Sequence, residues 1–187
     1  MLRRPRPIRG VLPQREGGGI SQQALGRAHR LMQKGSYMEA ALIFEKLAQV
    51  AQARGFLGRA PFLYLQAGRA RLALGQVDAG MVWFRQSFDL FVDTGRFLML
   101  HRIGGRIVEE FILQGNHQAA QEVNQWLTHA LEKHPDVKIN RPEGDIHKPS
   151  LPVKCPQCGA SVRPDEVDWI DSNIPSCAYC GSILESS

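Results

Sequence analysis

Apolar side chains recur through Tyr37, Ala40, Ala41, Phe44, Leu47, Ala48 and Ala51 at the i, i+3, i+4, i+7 spacing that lines one face of an α-helix. The same period returns at Val77, Met81, Phe84, Phe88 and Phe91, and again at Ala119, Ala120, Val123, Trp126, Leu127, Ala130 and Leu131. Each stretch opens after a glycine, and Gly35, Gly75 and Gly115 stand forty residues apart. Aligned on those glycines, GSYMEAALIFEKL, GQVDAGMVWFRQS and GNHQAAQEVNQWL share a small residue at Ala40, Gly80 and Ala120. Phe44 and Phe84 match four positions later, where the third segment has Asn124; Leu47 and Leu127 match around Ser87. Another helical pattern precedes each segment, so the unit is helix–glycine–helix. The pattern predicts six helices in three hairpins.

Local chemistry supports the boundaries. Ser36 and Glu39 have the S-x-x-E spacing of a capping box, which satisfies amide donors at a helix start. Pro61 suits the first turn of the third helix, where its missing N–H costs nothing. Asn116 is a favourable N-cap for the sixth. Trp83 and Trp126 fall on apolar faces and read as core.

The glycine, small-residue and aromatic spacing, clearest in LALGQVDAGMVWFRQSF, resembles the tetratricopeptide repeat over residues 22–132. The resemblance implies a mainly α fold at 20–134, an α-solenoid of three helix–turn–helix repeats whose first helices line a groove for a peptide or protein. Carried over by the forty-residue equivalence, His29, Arg69 and Glu109 form one row of that groove, and Gln22, Phe62 and Arg102 another. Arg69 and Arg102 are then the candidates for gripping an acidic side chain or a C-terminal carboxylate. The period exceeds the usual ~34 residues and lies nearer the HEAT range; a plain helical bundle is the alternative.

All four cysteines lie in KCPQCGASVRPDEVDWIDSNIPSCAYCGS, as two Cys-x-x-Cys pairs separated by eighteen residues. That spacing is expected of a four-thiolate zinc site, with Cys155, Cys158, Cys177 and Cys180 at the corners of a tetrahedron. Gly159 and Gly181 permit the left-handed turn that closes each pair. CPQCG and CAYCG resemble the two knuckles of a zinc ribbon, a small β module expected over 154–187. Its strands are expected where SVRPDEVDWI pairs with residues near Ser182–Leu184, and Trp169 is expected to pack inside it. An iron–sulfur cluster accepts the same donors, and two disulfides would need an oxidising compartment. Four protein thiolates leave no open position on a metal, so the expected role is structural.

Charge divides unevenly along the chain. Residues 1–15 hold five arginines and no acid, whereas 150–187 hold two basic and five acidic side chains. The net charge of +5 therefore belongs mostly to a tail, expected at 1–19, and nucleic acid is the less favoured partner. RRPRPIRGVLP has the character of a docking peptide, acting in cis or in trans. No apolar run reaches the ~20 residues of a membrane helix. No apolar stretch follows the first arginines, and Pro5, Pro7 and Pro13 break a presequence helix, so a cytoplasmic location is expected. The segment 135–153, with Pro135, Pro142, Pro149 and Pro152, reads as a semi-rigid linker that leaves the two folded parts energetically independent.

Candidate catalytic chemistry is sparse. Six histidines are scattered singly, which reads as surface or satisfied positions, and adjacent Glu109 and Glu110 face different directions on a helix. Phosphate-loop, nucleophile-elbow and zinc-protease motifs are missing from the sequence. The expected function is a non-enzymatic protein–protein interaction adaptor or scaffold with one structural zinc ion. The alternative is a nucleic-acid-associated zinc-ribbon factor of transcription or translation.

Overall fold

The computed structural model describes residues 22–134, 150–164, 166–171 and 174–184. The arginine-rich tail expected at 1–19 and most of the linker expected at 135–153 lie outside the described residues, as does the side chain of Trp169. Six helices follow in order: α1 (Gln22–Gln33), α2 (Tyr37–Ala53), α3 (Ala60–Ala73), α4 (Val77–Asp93), α5 (Phe97–Leu113) and α6 (His117–Glu132). Each packs against the next in sequence. Among the described residues, no helix is long and apolar enough to cross a membrane.

One repeated device ends the first five helices. Gly35, Gly55, Gly75, Gly95 and Gly115 all have φ between 68° and 78°, a left-handed conformation that favours glycine. At each, the glycine N–H and the next residue's N–H return to carbonyls of the last turn, as in Gly35 to Met32 and Ser36 to Leu31. This is the Schellman arrangement, which satisfies orphan carbonyls at a helix end. It recurs every twenty residues, half the forty-residue period, because both turns of each repeat use it. It also explains why the Ser36–Glu39 capping box does not form. The Ser36 N–H is committed to Leu31, and neither Ser36 nor Asn116 makes a side-chain cap hydrogen bond. Pro61 does sit in the first turn of α3.

The apolar faces meet as their periodicity requires. Ala40, Phe44, Ala48 and Ala51 of α2 are buried, as are Phe84, Phe88 and Phe91 of α4, and Val123 and Leu127 of α6. Gly68 and Gly80 bring α3 and α4 so close that a Cβ on Gly68 would meet the Phe84 ring at 2.6 Å. Ser87, which interrupts the leucine match, is fully buried and donates to the Pro61 carbonyl at 2.8 Å. Helix α3 is buried on every side, from Ala60 through Leu65 and on to Leu72. A helix apolar all round needs a neighbour on each face; for α3 these are α2, α4 and the C-terminal cysteine module.

That module contains a single short strand pair, β1 (Asp168–Asp171) antiparallel to β2 (Ile174–Ser176). The pairing corrects the expected one. Residues after Asp168 return upon themselves through Ile174–Ser176, and Ile183 adds only an isolated bridge to Ser176.

Candidate metal centre and its seat on the helices

The two cysteine turns are built alike. Gly159 N–H donates to the Cys155 carbonyl at 2.9 Å, and Gly181 N–H to the Cys177 carbonyl at 2.7 Å. Cys155 N–H and Cys177 N–H donate in turn to Ala160 and Ser182, each at 2.8 Å. Positive φ at Gly159 (72°) and Gly181 (74°) makes both turns possible.

The turns converge. Cys155, Cys158, Cys177 and Cys180 are free and buried, and their sulfurs lie within 4.8 Å of one another. Cys155 Sγ to Cys180 Sγ and Cys158 Sγ to Cys177 Sγ are both 3.7 Å. A tetrahedral ion about 2.3 Å from each sulfur would set the edges near 3.8 Å, so these two match and the cluster is compatible with a metal ion. The Ser182 hydroxyl lies 3.0 Å from Cys180 Sγ and 3.3 Å from Cys155 Sγ, in reach of a bond that orients both ligands. Hydrogen bonds from Cys158 and Cys177 pull the Cys180 thiol well below its ordinary pKa, with Ser182 assisting. Cys158 is correspondingly pushed up through its bonds to Cys177 and Cys180.

The centre is seated against the first helix of each hairpin. Tyr179, inside the second cysteine turn, is buried with its ring edge-on to His29 at 5.2 Å and to Phe62 at 6.0 Å. Its hydroxyl donates to Glu166 Oε2 at 2.5 Å and accepts from Gln66 Nε2 at 2.6 Å. Glu166 Oε1 receives Arg69 Nη1 at 2.7 Å. Arg69 Nη2 is 3.4 Å from Glu110 Oε1, which Arg163 Nη1 approaches at 3.2 Å. A network buried at Arg69, Glu166 and Tyr179 thus runs from α3 into the module and back to the more exposed Glu110 of α5.

Its electrostatics are mutually supporting. Burial alone would raise the Glu166 pKa, but the Arg69 charge and the Tyr179 hydroxyl outweigh it and hold the carboxyl below its usual value. Burial and the neighbouring Glu166 charge push the Tyr179 phenol well above 10. Burial would lower Arg69, yet Glu166 keeps its guanidinium more firmly charged than usual. His29 goes the other way: burial lowers it to about 4, against opposing charges at Cys180 and Glu166.

Three residues of the expected groove rows meet the chain's own cysteine module. His29 and Phe62 touch Tyr179, and Arg69 grips a carboxylate, that of Glu166 in the same chain. In the third hairpin Glu110, not the exposed Glu109, joins the network. Arg102 is half-buried, and no hydrogen bond or ion pair joins it to the module among the described residues. The expectation that His29 is a surface or satisfied histidine fails, since it is buried with Nε2 lacking a hydrogen-bond partner among the described residues. The expected energetic independence of the two parts also fails, because α3 uses the module as its third neighbour.

Gln66, Glu166 and Tyr179 were not anticipated. Their signal was present in APFLYLQAGRARLA, which is too apolar around its circumference for two helical neighbours. Comparison of the chain with protein-family models, with curated proteins and with solved structures finds no match.

Proposed function

We propose that the chain is a non-enzymatic adaptor in which three tetratricopeptide-like hairpins carry a structural zinc ribbon as one interaction unit. Four thiolates are soft donors that favour zinc or an iron–sulfur cluster, and a single ion fits the 3.7 Å sulfur edges. Zinc so ligated has no open position for water or substrate, so it orders the module and does no chemistry.

The observation that carries the adaptor reading is the Gln66–Tyr179–Glu166–Arg69 network. It supports a first-helix face suited to a carboxylate beside an aromatic ring, the chemistry of a peptide or protein ligand, here supplied by the chain's own module. By the forty-residue equivalence Arg102, half-buried on α5, falls in the same row as Phe62. The test is binding to a defined protein partner reconstituted from purified components. Arg102→Ala is expected to weaken binding roughly tenfold, as loss of a charge-assisted hydrogen bond does; unchanged affinity removes the face from the reading. The alternative, a nucleic-acid-associated factor, draws on a different surface, where Arg27, Arg30 and Lys154 meet.

A further inference from the structure

A cleft of about 770 Å³ lies between α1 and the first cysteine turn. Its walls meet near Gly26, where a Cβ would stand in ordinary contact, 3.6 Å from the Cys158 carbonyl. Arg27 and Arg30 line one wall and Lys154 the other, all three exposed. Gln22, Gln33 and Gln157 add amides, and none of the described lining residues is acidic or aromatic. Among the described residues, Glu39 engages these cations, 3.7 Å from Arg27 across an exposed pair that contributes little.

The sequence around these cations carries the same sign. Residues 1–38 contain eight basic side chains and one acid, a net of +7, while the remaining residues sum to −2. Residues 150–164 contain Lys154 and Arg163 and no acid. In the cleft itself Arg27, Arg30 and Lys154 share one concavity, where low-dielectric walls concentrate the field.

We propose that this cleft binds the phosphodiester backbone of a nucleic acid. Three cations flanked by amides match phosphate and sugar oxygens, which accept hydrogen bonds from both. The missing aromatics leave no platform on which bases would stack, so recognition runs through the backbone and is indifferent to sequence. A lipid surface is the poorer fit, because the cations line a cleft among whose described lining residues there is no large apolar side chain to enter a bilayer. The site shares no residue with the Arg69 network, so its failure would leave the adaptor reading standing.

The test uses the full, zinc-loaded chain and a labelled oligonucleotide, as single-stranded RNA, single-stranded DNA or duplex DNA, with fluorescence anisotropy at several salt concentrations. Three phosphate contacts give a slope of about −2 in log affinity against log salt for a single strand. Arg27→Glu/Arg30→Glu/Lys154→Glu, verified for zinc content and helical circular dichroism, is expected to bind at least ten times more weakly and to lose that part of the slope. Deleting residues 1–15 is expected to leave salt-dependent binding that the triple reversal removes. The proposal is overturned if the triple variant binds like wild type, if the deletion abolishes binding, if no oligonucleotide binds, or if vesicles containing phosphatidylserine bind more tightly than every oligonucleotide.

Discussion

Arg69 Nη1 lies 2.7 Å from Glu166 Oε1, an ion pair that ties α3 to a residue 97 positions further along the chain. Both side chains are almost out of water, 9 % and 2 % exposed. Such a pair adds little net stability over an apolar substitute, but removing one member strands the other at a cost of about 3–5 kcal/mol. Arg69→Met is therefore expected to lower unfolding stability by about 3 kcal/mol or more. Arg69→Met/Glu166→Gln should cost clearly less than the sum of the single changes in urea titrations. Additivity within about 0.5 kcal/mol would mean that the two side chains do not interact.

Metal content gives the second expectation. Protein purified without added metal should contain one zinc ion per chain by elemental analysis. Cys177→Ser should abolish that zinc, because a three-thiolate site loses a corner of the tetrahedron. Its helices should persist with a lower melting temperature, since Phe62 and Arg69 lose their cover. Retention of a full equivalent of zinc by Cys177→Ser would remove that residue from the ligand set.

His29 sets a pH dependence. Its ordinary value of 6.5 falls to about 4 in the fold, wedged between the rings of Phe44 and Tyr179. Between those values the unfolded chain takes up a proton that the folded chain refuses, so stability falls as pH falls through that window. Glu166 acts in the same direction: its depressed carboxyl stabilises the fold above the unfolded value, and that contribution is lost as pH drops through the folded one. Between pH 7 and pH 5 the wild type should lose about 2 kcal/mol more than His29→Phe, which keeps the ring and removes the proton site. Parallel stability curves would show that His29 is not buried in its neutral form.

Two glycines should respond oppositely to alanine. At Gly105, inside α5, an added Cβ meets nothing within 4 Å, so Gly105→Ala should stabilise by about 0.8 kcal/mol through helix propensity. At Gly68 the Cβ would enter the Phe84 ring and approach the Gly80 carbonyl at 3.1 Å. Gly68→Ala should cost about 1–3 kcal/mol despite its propensity gain. Thermal unfolding compares them, and a stabilised Gly68→Ala would contradict the close approach of α3 and α4.

The helices and the ligand set were legible because their signals are local. A 3.6-residue period at Phe44, Leu47 and Ala51, or a Cys-x-x-Cys turn closed by Gly159, is written in neighbouring residues. The Gly55 and Gly95 turns were overlooked because alignment at forty residues hides a device that repeats every twenty. The strand register was misjudged because Ile174–Ser176 carries only a three-residue signal. The docking of Tyr179 and Glu166 was not legible as a pairing, since contacts 97 and 113 residues apart leave no spacing to read. What the sequence did carry was half of that contact, the excess of apolar residues around α3. Charge misled in one respect: dividing it by segment isolated the tail from Arg27, Arg30 and Lys154, which folding brings to one cleft.

Metal-dependent docking of the cysteine module on the helices is the centre of this account, and amide hydrogen exchange of the full chain, with and without a strong chelator, tests it most directly. Modules of this size seldom fold without metal, and binding supplies on the order of 10–16 kcal/mol. The expected result is slow exchange across residues 154–184 in the zinc-loaded chain and fast exchange there after chelation. Helices α2, α4 and α6 should stay protected throughout, because they bury their faces against other helices. Exchange at 154–184 that ignores the chelator, or protection lost together across all six helices, would contradict it.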